Sequence, residues 1–385
     1  MRMRVLHIIT SLLTGGAESM LQKVVDATRP LGYDATVVSL TSASAIGREL
    51  QENGVPVLAL EGRGGILLPH QMFRLARIFH RVQPHVVHCW MYHSNVVGYA
   101  VVRLRAEHKR PALVVSVRMA LDAEDDRKIS RSVIRWLDAR LSPTADALVF
   151  NSQRAAEQHA SLGYCMRQAS VIPNFFDTEH FMPRPREAAG IRAELGCNDA
   201  AVVGLVARFD KLKDQLTFLR AARIVVGRLP RTRFLLIGRG CNKENRQLMQ
   251  WIGECGLLEQ VYALGERRDM PAVQSALDVA VNSSITEGFP NAIGEAMACA
   301  VPCVVTDVGD SRFVVGGAGI VVPPRDPGAL AGAIIELIDL SPRERKNIGE
   351  RGRQRVVTEF SKTSVLGKFT NLYDKVCCRL DIEPR

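Results

Sequence analysis

Residues 282–310 read NSSITEGFPNAIGEAMACAVPCVVTDVGD, and the fold follows from how this stretch is understood. The run leading into it, Ala276–Asn282, is apolar with β-branched residues and is expected to be a buried strand. Ser283 to Asn291 is a polar turn punctuated by glycine and proline. Ala292–Ala300 carries small and apolar residues at helical spacing, so a helix is expected to start near Pro290, where proline is tolerated. Pro302–Thr306 is a further buried strand. Such a unit opens a helix N-terminus onto a loop, and its free N–H groups and positive dipole end suit phosphate. Glu287 in the loop and Glu295 in the helix frame that terminus. A carboxylate repels phosphate but accepts hydrogen bonds from sugar hydroxyls, so the pair suits a ligand that carries both. The plainer alternative leaves Glu287 favouring the helix dipole and Glu295 solvated.

Upstream in the same half, Ala201–Ala207 is a strand, and Arg208 and Lys213 follow it in one loop before a helix from Leu216. Two cations at a sheet's C-terminal edge can neutralise a departing diphosphate, or form a solvated basic loop. Phe234–Ile237 with Gly238-Arg239-Gly240, Val261–Leu264 with Gly265, Ile320–Pro324 and Asp326–Leu340 complete this half.

The N-terminal half alternates in the same way. Arg4–Thr10 is a strand running into Thr14-Gly15-Gly16-Ala17-Glu18, and Met20, Leu21, Val24 and Val25 form a helical stripe. Gly15 and Gly16 let backbone approach an anion closely, or make a tight turn; no dinucleotide G-x-G-x-x-G is present. Ala35–Leu40 and Val55–Leu60 are strands, and Pro69–Val82 is a helix with Arg74, Arg77 and Arg81 on one face. That face is solvated, or it meets an anionic membrane or lipid diphosphate. Val86 and Val87 are a buried strand end, and the three histidines around it, His85, His88 and His93, crowd the expected loop with Trp90 and Tyr92, where ligands bind in open α/β sheets. The spacing of His88 and His93 does not support a helical metal pair. Leu113–Val117, the basic helix Arg127–Arg140, Ala147–Asn151 and Ala169–Ile172 follow. Asp125-Asp126 is expected to be a solvated turn. Alternating strands and helices predict parallel, doubly wound α/β sheets.

The chain has 385 residues, which predicts two domains at about 150 residues each. With 47% hydrophobic and 23% charged residues it is an ordinary globular chain. The expected divisions are 1–172, a proline-stiffened hinge over 173–190, a second domain over 191–360 and a C-terminal helical segment over 361–385. No apolar run approaches the roughly 20 residues that span a bilayer, and the N-terminus reads as a strand entering a turn, not as a signal peptide. Nine cysteines without a C-x2-C pair point to reduced thiols in the cytoplasm and against structural zinc. The first 175 residues hold 21 Lys/Arg against 14 Asp/Glu, so most of the net charge of +10 lies there. That charge suits an anionic membrane or phosphorylated ligands. Nucleic acid is not expected, because aromatic platforms and recognition motifs are missing.

EGFPNAIGEAMACAVPCVVTDVGD resembles, nearly residue for residue, the donor-site signature of retaining glycosyltransferases of family GT4. The segment VARFDKLKD is similar to the family's V-x-R-x(4)-K pattern, and VVHCWMYHSN to a branch used in bacterial surface-polysaccharide pathways. The resemblance implies a GT-B fold, two Rossmann-like domains facing across a cleft, with the C-terminal helix crossing back to the first. It implies sugar transfer from a nucleotide-diphospho-sugar, as substrate and not cofactor, to a glycan or lipid-linked acceptor, with retention and without metal. Glu287 would lie near the donor hexose, the amides of Gly288, Phe289, Asn291 and Ala292 around the hexose and diphosphate, and Glu295 on the ribose hydroxyls. Arg208 and Lys213 would hold the diphosphate, Gly15 and Gly16 would face donor phosphate or acceptor, and His88 would reach the transferred sugar. Two positions depart from the family: Trp90 stands where many members have a second His, and Phe175 where I-P-N-G-[VF]-D has glycine. No D-x-D stands in a plausible donor loop, and no carboxylate pair of the kind that retaining hydrolases use is apparent. A same-face reaction, in which the leaving phosphate takes the acceptor proton, needs no protein nucleophile. The expected location is the cytoplasm, peripheral at the inner face of the plasma membrane. A sugar-nucleotide epimerase and a non-catalytic nucleotide-sugar sensor are the alternatives.

Overall fold

The computed structural model describes residues 2–13, 15–103, 110–119, 121, 129–380 and 382. Thr14, Asp125-Asp126 and the first residues of the helix expected from Arg127 lie outside the described residues. The chain divides into two compact units, Met1–Phe175 with Thr363–Arg385, and Phe176–Lys362.

The first unit holds β1 (Met3–Ile9), β2 (Tyr33–Ser39), β3 (Val57–Ala59), β4 (Val86–Trp90), β5 (Ala112–Val117), β6 (Ala147–Phe150) and β7 (Ala169–Val171). They form a parallel sheet in the order β3-β2-β1-β4-β5-β6-β7. The strands are valine-rich and apolar on both faces, as a sheet covered on both sides requires. Val5 and Ile9 point into one core, while Leu6 and Ile8 point into the other. The C-terminal helix Lys362–Arg379 lends Phe369, Tyr373 and Cys377 to the first of these cores.

The second unit holds β8 (Val202–Val206), β9 (Arg233–Ile237), β10 (Val261–Gly265), β11 (Val279–Asn282), β12 (Cys303–Thr306) and β13 (Gly319–Val322). Their order is β10-β9-β8-β11-β12-β13, again parallel throughout. Both sheets are therefore Rossmann-like α/β layers. The strand order turns round between β1 and β4 in one and between β8 and β11 in the other. At such points the loops beyond the strand C-termini diverge and leave room for a ligand.

Several boundaries differ from expectation for local reasons. The expected strand Ala276–Asn282 begins only at Val279, because the Ala276 N–H bonds back to Ala272 and closes the helix Met270–Ser275. Two further helices, Pro185–Glu194 and Pro342–Glu359, carry signals that the motif reading passes over. The second is closed by a capping box between Ser341 and Glu344. Phe175 needs no glycine-like backbone, since its φ is not positive. It is buried in a core of the first unit, whereas Phe176 is buried in a core of the second.

Phe176 stacks on Phe289 at 5.9 Å and meets Phe360 edge-on at 6.5 Å. Its ring also fills the space that a side chain on Gly294 would need. Alanine favours a helix over glycine by about 1 kcal/mol, but here the methyl group meets an enclosed ring. Overpacking of this kind costs about 1–3 kcal/mol or more. Gly294→Ala is therefore expected to lower the urea midpoint, and Phe176→Leu in the same chain to recover part of the loss. Unchanged stability in Gly294→Ala would contradict this packing.

Candidate active site

The second unit brings its candidate residues together at the turning point of its sheet. The loop after β11 is strapped to the loop after β8 by backbone-directed bonds. Ser283 Oγ donates to the carbonyls of Lys213 (2.8 Å) and Asp214 (3.1 Å), and the Ile285 N–H donates to the Leu212 carbonyl at 2.8 Å. Asp214 caps the following helix, Gln215–Arg228, through Thr217. This strapping sets Lys213 Nζ 2.5 Å from Glu287 Oε1.

Two more donors converge on the same oxygen, Asn282 Nδ2 at 2.9 Å and Ser284 Oγ at 2.8 Å. Asn282 is itself fixed, its Oδ1 accepting from the Ser284 N–H (3.0 Å) and from Thr306 Oγ1 (3.3 Å). The Lys213 side chain is 20% exposed and that of Glu287 10%. Partial burial makes such an ion pair costly to break, because the abandoned charge stays desolvated. Glu287 Oε2 takes no hydrogen bond from the described residues.

Behind the carboxylate, Gly309 has φ of 53° and lies so close to the Glu287 carbonyl that no Cβ fits. The Asp310 N–H bonds the Gly288 carbonyl at 3.1 Å. These contacts fix the loop just before the helix Asn291–Ala298, whose first turn exposes part of Asn291, Ala292 and Glu295. The Phe289 side chain is buried in the core. Arg208 is more exposed, at 48%, and pairs with Asp210 at 2.9 Å. Hydrogen bonds to the Leu212 N–H and to Arg208 hold the Asp210 carboxyl below its ordinary range, against the opposing effect of burial.

Gly15, Gly16 and His88 belong to the first unit. Gly15 precedes the helix Gly16–Thr28, and the Glu18 carboxylate folds back over it where a side chain would sit. Glu18 also accepts from Ser11 Oγ at 3.2 Å, and burial raises its pKa.

His88 requires a correction. It is not in a loop but in the middle of β4, with no exposed surface. Strand β4 runs on to Trp90, and both ring nitrogens of His88 are engaged, Nδ1 with the Tyr373 hydroxyl (2.7 Å) and Nε2 with Ser116 Oγ (2.6 Å). Its ring stacks on Trp90 at 4.5 Å, and burial with the neighbouring His7 and Arg118 pushes its pKa well below the ordinary value. A neutral, enclosed imidazole of this kind organises a core. His93 lies instead in the helix Tyr92–Val102, partly exposed beside Gly65.

Residues 14–180 match the family profile described as Glycosyltransferase Family 4, and residues 200–339 match the one described as Glycosyl transferases group 1. The chain belongs to this glycosyltransferase family. The glycosyltransferase is 23% identical over 314 residues to the Escherichia coli UDP-Gal:alpha-D-GlcNAc-diphosphoundecaprenol alpha-1,3-galactosyltransferase, covering 78% of each chain. It is 26% identical to the lipopolysaccharide core biosynthesis mannosyltransferase LpsB of Rhizobium meliloti (strain 1021), covering 72% of this chain and 76% of that one. The crystal structure of Anabaena Alr3699/HepE in complex with UDP matches with a TM-score of 0.85 at 23% identity, over 97% of this chain and 100% of that one. That likeness is one of fold, and the fold is GT-B.

Sequence reasoning about this glycosyltransferase missed Asn282 and Ser284, although both stand in the opening stretch. They look like ordinary strand-end and turn residues until the loop closes on Glu287. It also missed Gly309, whose signal was the glycine between Val308 and Asp310. Among the described residues no group of three His, Cys, Asp or Glu side chains is arranged to hold a metal ion.

Proposed function

We propose that this glycosyltransferase moves a hexosyl or related residue from a nucleotide-diphospho-sugar to a glycan acceptor, without a metal requirement and with retention at the anomeric carbon. The observation that carries the reading is the Lys213–Glu287 contact, set beside a helix N-terminus at the turning point of the second sheet. In this reading Glu287 Oε2 accepts from hexose hydroxyls while Lys213 and Arg208 face the diphosphate. Glu295 takes the ribose hydroxyls, and the amides of Gly288, Phe289, Asn291 and Ala292 line the space between. Preorganised cations and amides of this kind stabilise charge that develops on a leaving diphosphate. Gly15 and Gly16 serve phosphate or acceptor, and His88 has no direct part.

For retention the acceptor oxygen bonds to the anomeric carbon on the face from which the diphosphate leaves. The bond to the leaving oxygen breaks with its electron pair, and a phosphate oxygen takes the acceptor proton. A glycosyl adduct trapped on Glu287 or Asp310 would overturn this step.

The acceptor is proposed to be lipid-linked, and the setting to be surface-polysaccharide or lipopolysaccharide assembly at the cytoplasmic face of a membrane. In support, the E. coli relative is named for a UDP-Gal donor and a diphosphoundecaprenol-linked acceptor, and the Rhizobium relative for lipopolysaccharide core synthesis. The helix Pro69–Val82 exposes Arg74, Arg77 and Arg81 together with Phe73, which is 66% exposed, a combination suited to anionic headgroups. No helix among the described residues is long and apolar enough to cross a membrane. Loss of vesicle binding on reversing these arginine charges, at low salt, is the check on that placement.

The donor reading is tested by calorimetric titration with UDP-, GDP- and ADP-sugars of the wild type, Arg208→Ala and Glu295→Ala. One nucleotide sugar is expected to bind the wild type, with affinity at least tenfold weaker in both variants. Binding of no sugar nucleotide, or equal binding by all three proteins, would contradict it.

A further inference from the structure

Arg118 follows β5 and so stands at the C-terminal edge of the first sheet, one strand beyond the turning point between β1 and β4. Only 7% of it is exposed. Its guanidinium carbon lies 5.4 Å from the centroid of the Trp90 ring, and Nη2 donates to Asn174 Oδ1 at 2.5 Å. Nε and Nη1 are buried and donate to nothing among the described residues. Nor does any described carboxylate form an ion pair with Arg118, although other partly buried arginines of the chain, Arg110 and Arg192, pair with Asp146 and Asp278.

The described groups around Arg118 are neutral. The Met91 sulfur accepts from its backbone N–H at 3.4 Å. The Tyr373 hydroxyl is tied to His88, and the Trp90 indole N–H to His7 Nδ1 at 3.2 Å. Burial keeps His7 and His88 uncharged and drags the Arg118 pKa down to about 9. A folded chain pairs its buried charges, since a desolvated guanidinium without an anion is unfavourable. This guanidinium keeps N–H donors at the C-terminal end of a parallel sheet that no described residue satisfies. Its planar donor set fits the oxygens of a phosphoryl group.

We propose that Arg118 is the seat of a phosphoryl group of the acceptor, carried by a sugar phosphate or by a lipid phosphate. This deepens the glycosyltransferase reading by giving the acceptor an anionic handle, and it rests on that reading. Trp90 is the built-in reporter, since its ring lies against the guanidinium. The chain has three tryptophans, and Trp136→Phe with Trp251→Phe leaves Trp90 alone.

In that background the full chain is titrated at constant ionic strength with glucose 1-phosphate and, separately, with phosphatidic acid in neutral detergent micelles. A saturable change in Trp90 fluorescence is expected with one of them, at least tenfold weaker in Arg118→Met and partly kept in Arg118→Lys. Response to glucose 1-phosphate names a soluble sugar phosphate as the source, and response to the micelles a lipid phosphate. Should Arg118→Met not fold, Arg118→Lys decides, with an affinity at least threefold weaker supporting the seat. No response from either probe, or the same curve in the variants as in the parent, overturns the proposal. UDP-sugar binding, read separately by calorimetry, is expected to stay within twofold in Arg118→Lys. Its absence from every protein would sink the donor reading and not the Arg118 result.

Discussion

The second unit is organised by three donors meeting one carboxylate oxygen. Lys213, Asn282 and Ser284 all point at Glu287 Oε1, from the end of β11 and from two loops that hydrogen bonds tie together. The strands supply the frame, because β8 and β11 are neighbours that release their chains in diverging directions. Removing one donor leaves the others on the carboxylate, whereas removing the carboxylate leaves a half-buried ammonium unpaired. The arrangement therefore fixes one carboxylate oxygen with three donors and leaves the other without a donor among the described residues.

The first unit solves a different problem. Behind its corresponding edge lie rings: His7, His88 and Trp90 from the strands, and Phe369 and Tyr373 from the C-terminal helix. The last helix is thus part of the support of this edge, since Tyr373 holds one nitrogen of His88 while Ser116 holds the other. Beside those neutral rings lies the buried guanidinium of Arg118, joined to Asn174 just before the chain leaves the unit. The adjacent Phe175 and Phe176 then anchor the connection in one core each.

Local signals were easy to read from sequence. Valine runs gave the strands, and the glycine and proline punctuation of 282–310 gave the loop and the helix that carry Glu287 and Glu295. Less legible was anything that depends on where a strand stops. VVHCW is apolar enough to stay in the sheet through Trp90, and those three further strand residues place His88 in the core instead of a loop. The partnership of Lys213 with Glu287 spans 74 residues and depends on loop strapping that no spacing rule predicts. Arg118 carried no signal at all, because one arginine after a strand reads as a solvated end. Its burial and missing partner appear only in three dimensions.

The most direct test is a double-mutant cycle on Lys213→Met and Glu287→Gln, read as affinity for the nucleotide sugar that the wild type binds. If the ion pair presents the donor site, each single variant weakens binding at least tenfold, and the double variant falls well short of the product of the two losses. Donor affinity unchanged in both single variants would contradict the account, because the convergence on Glu287 would then be a structural strap with no part in the chemistry.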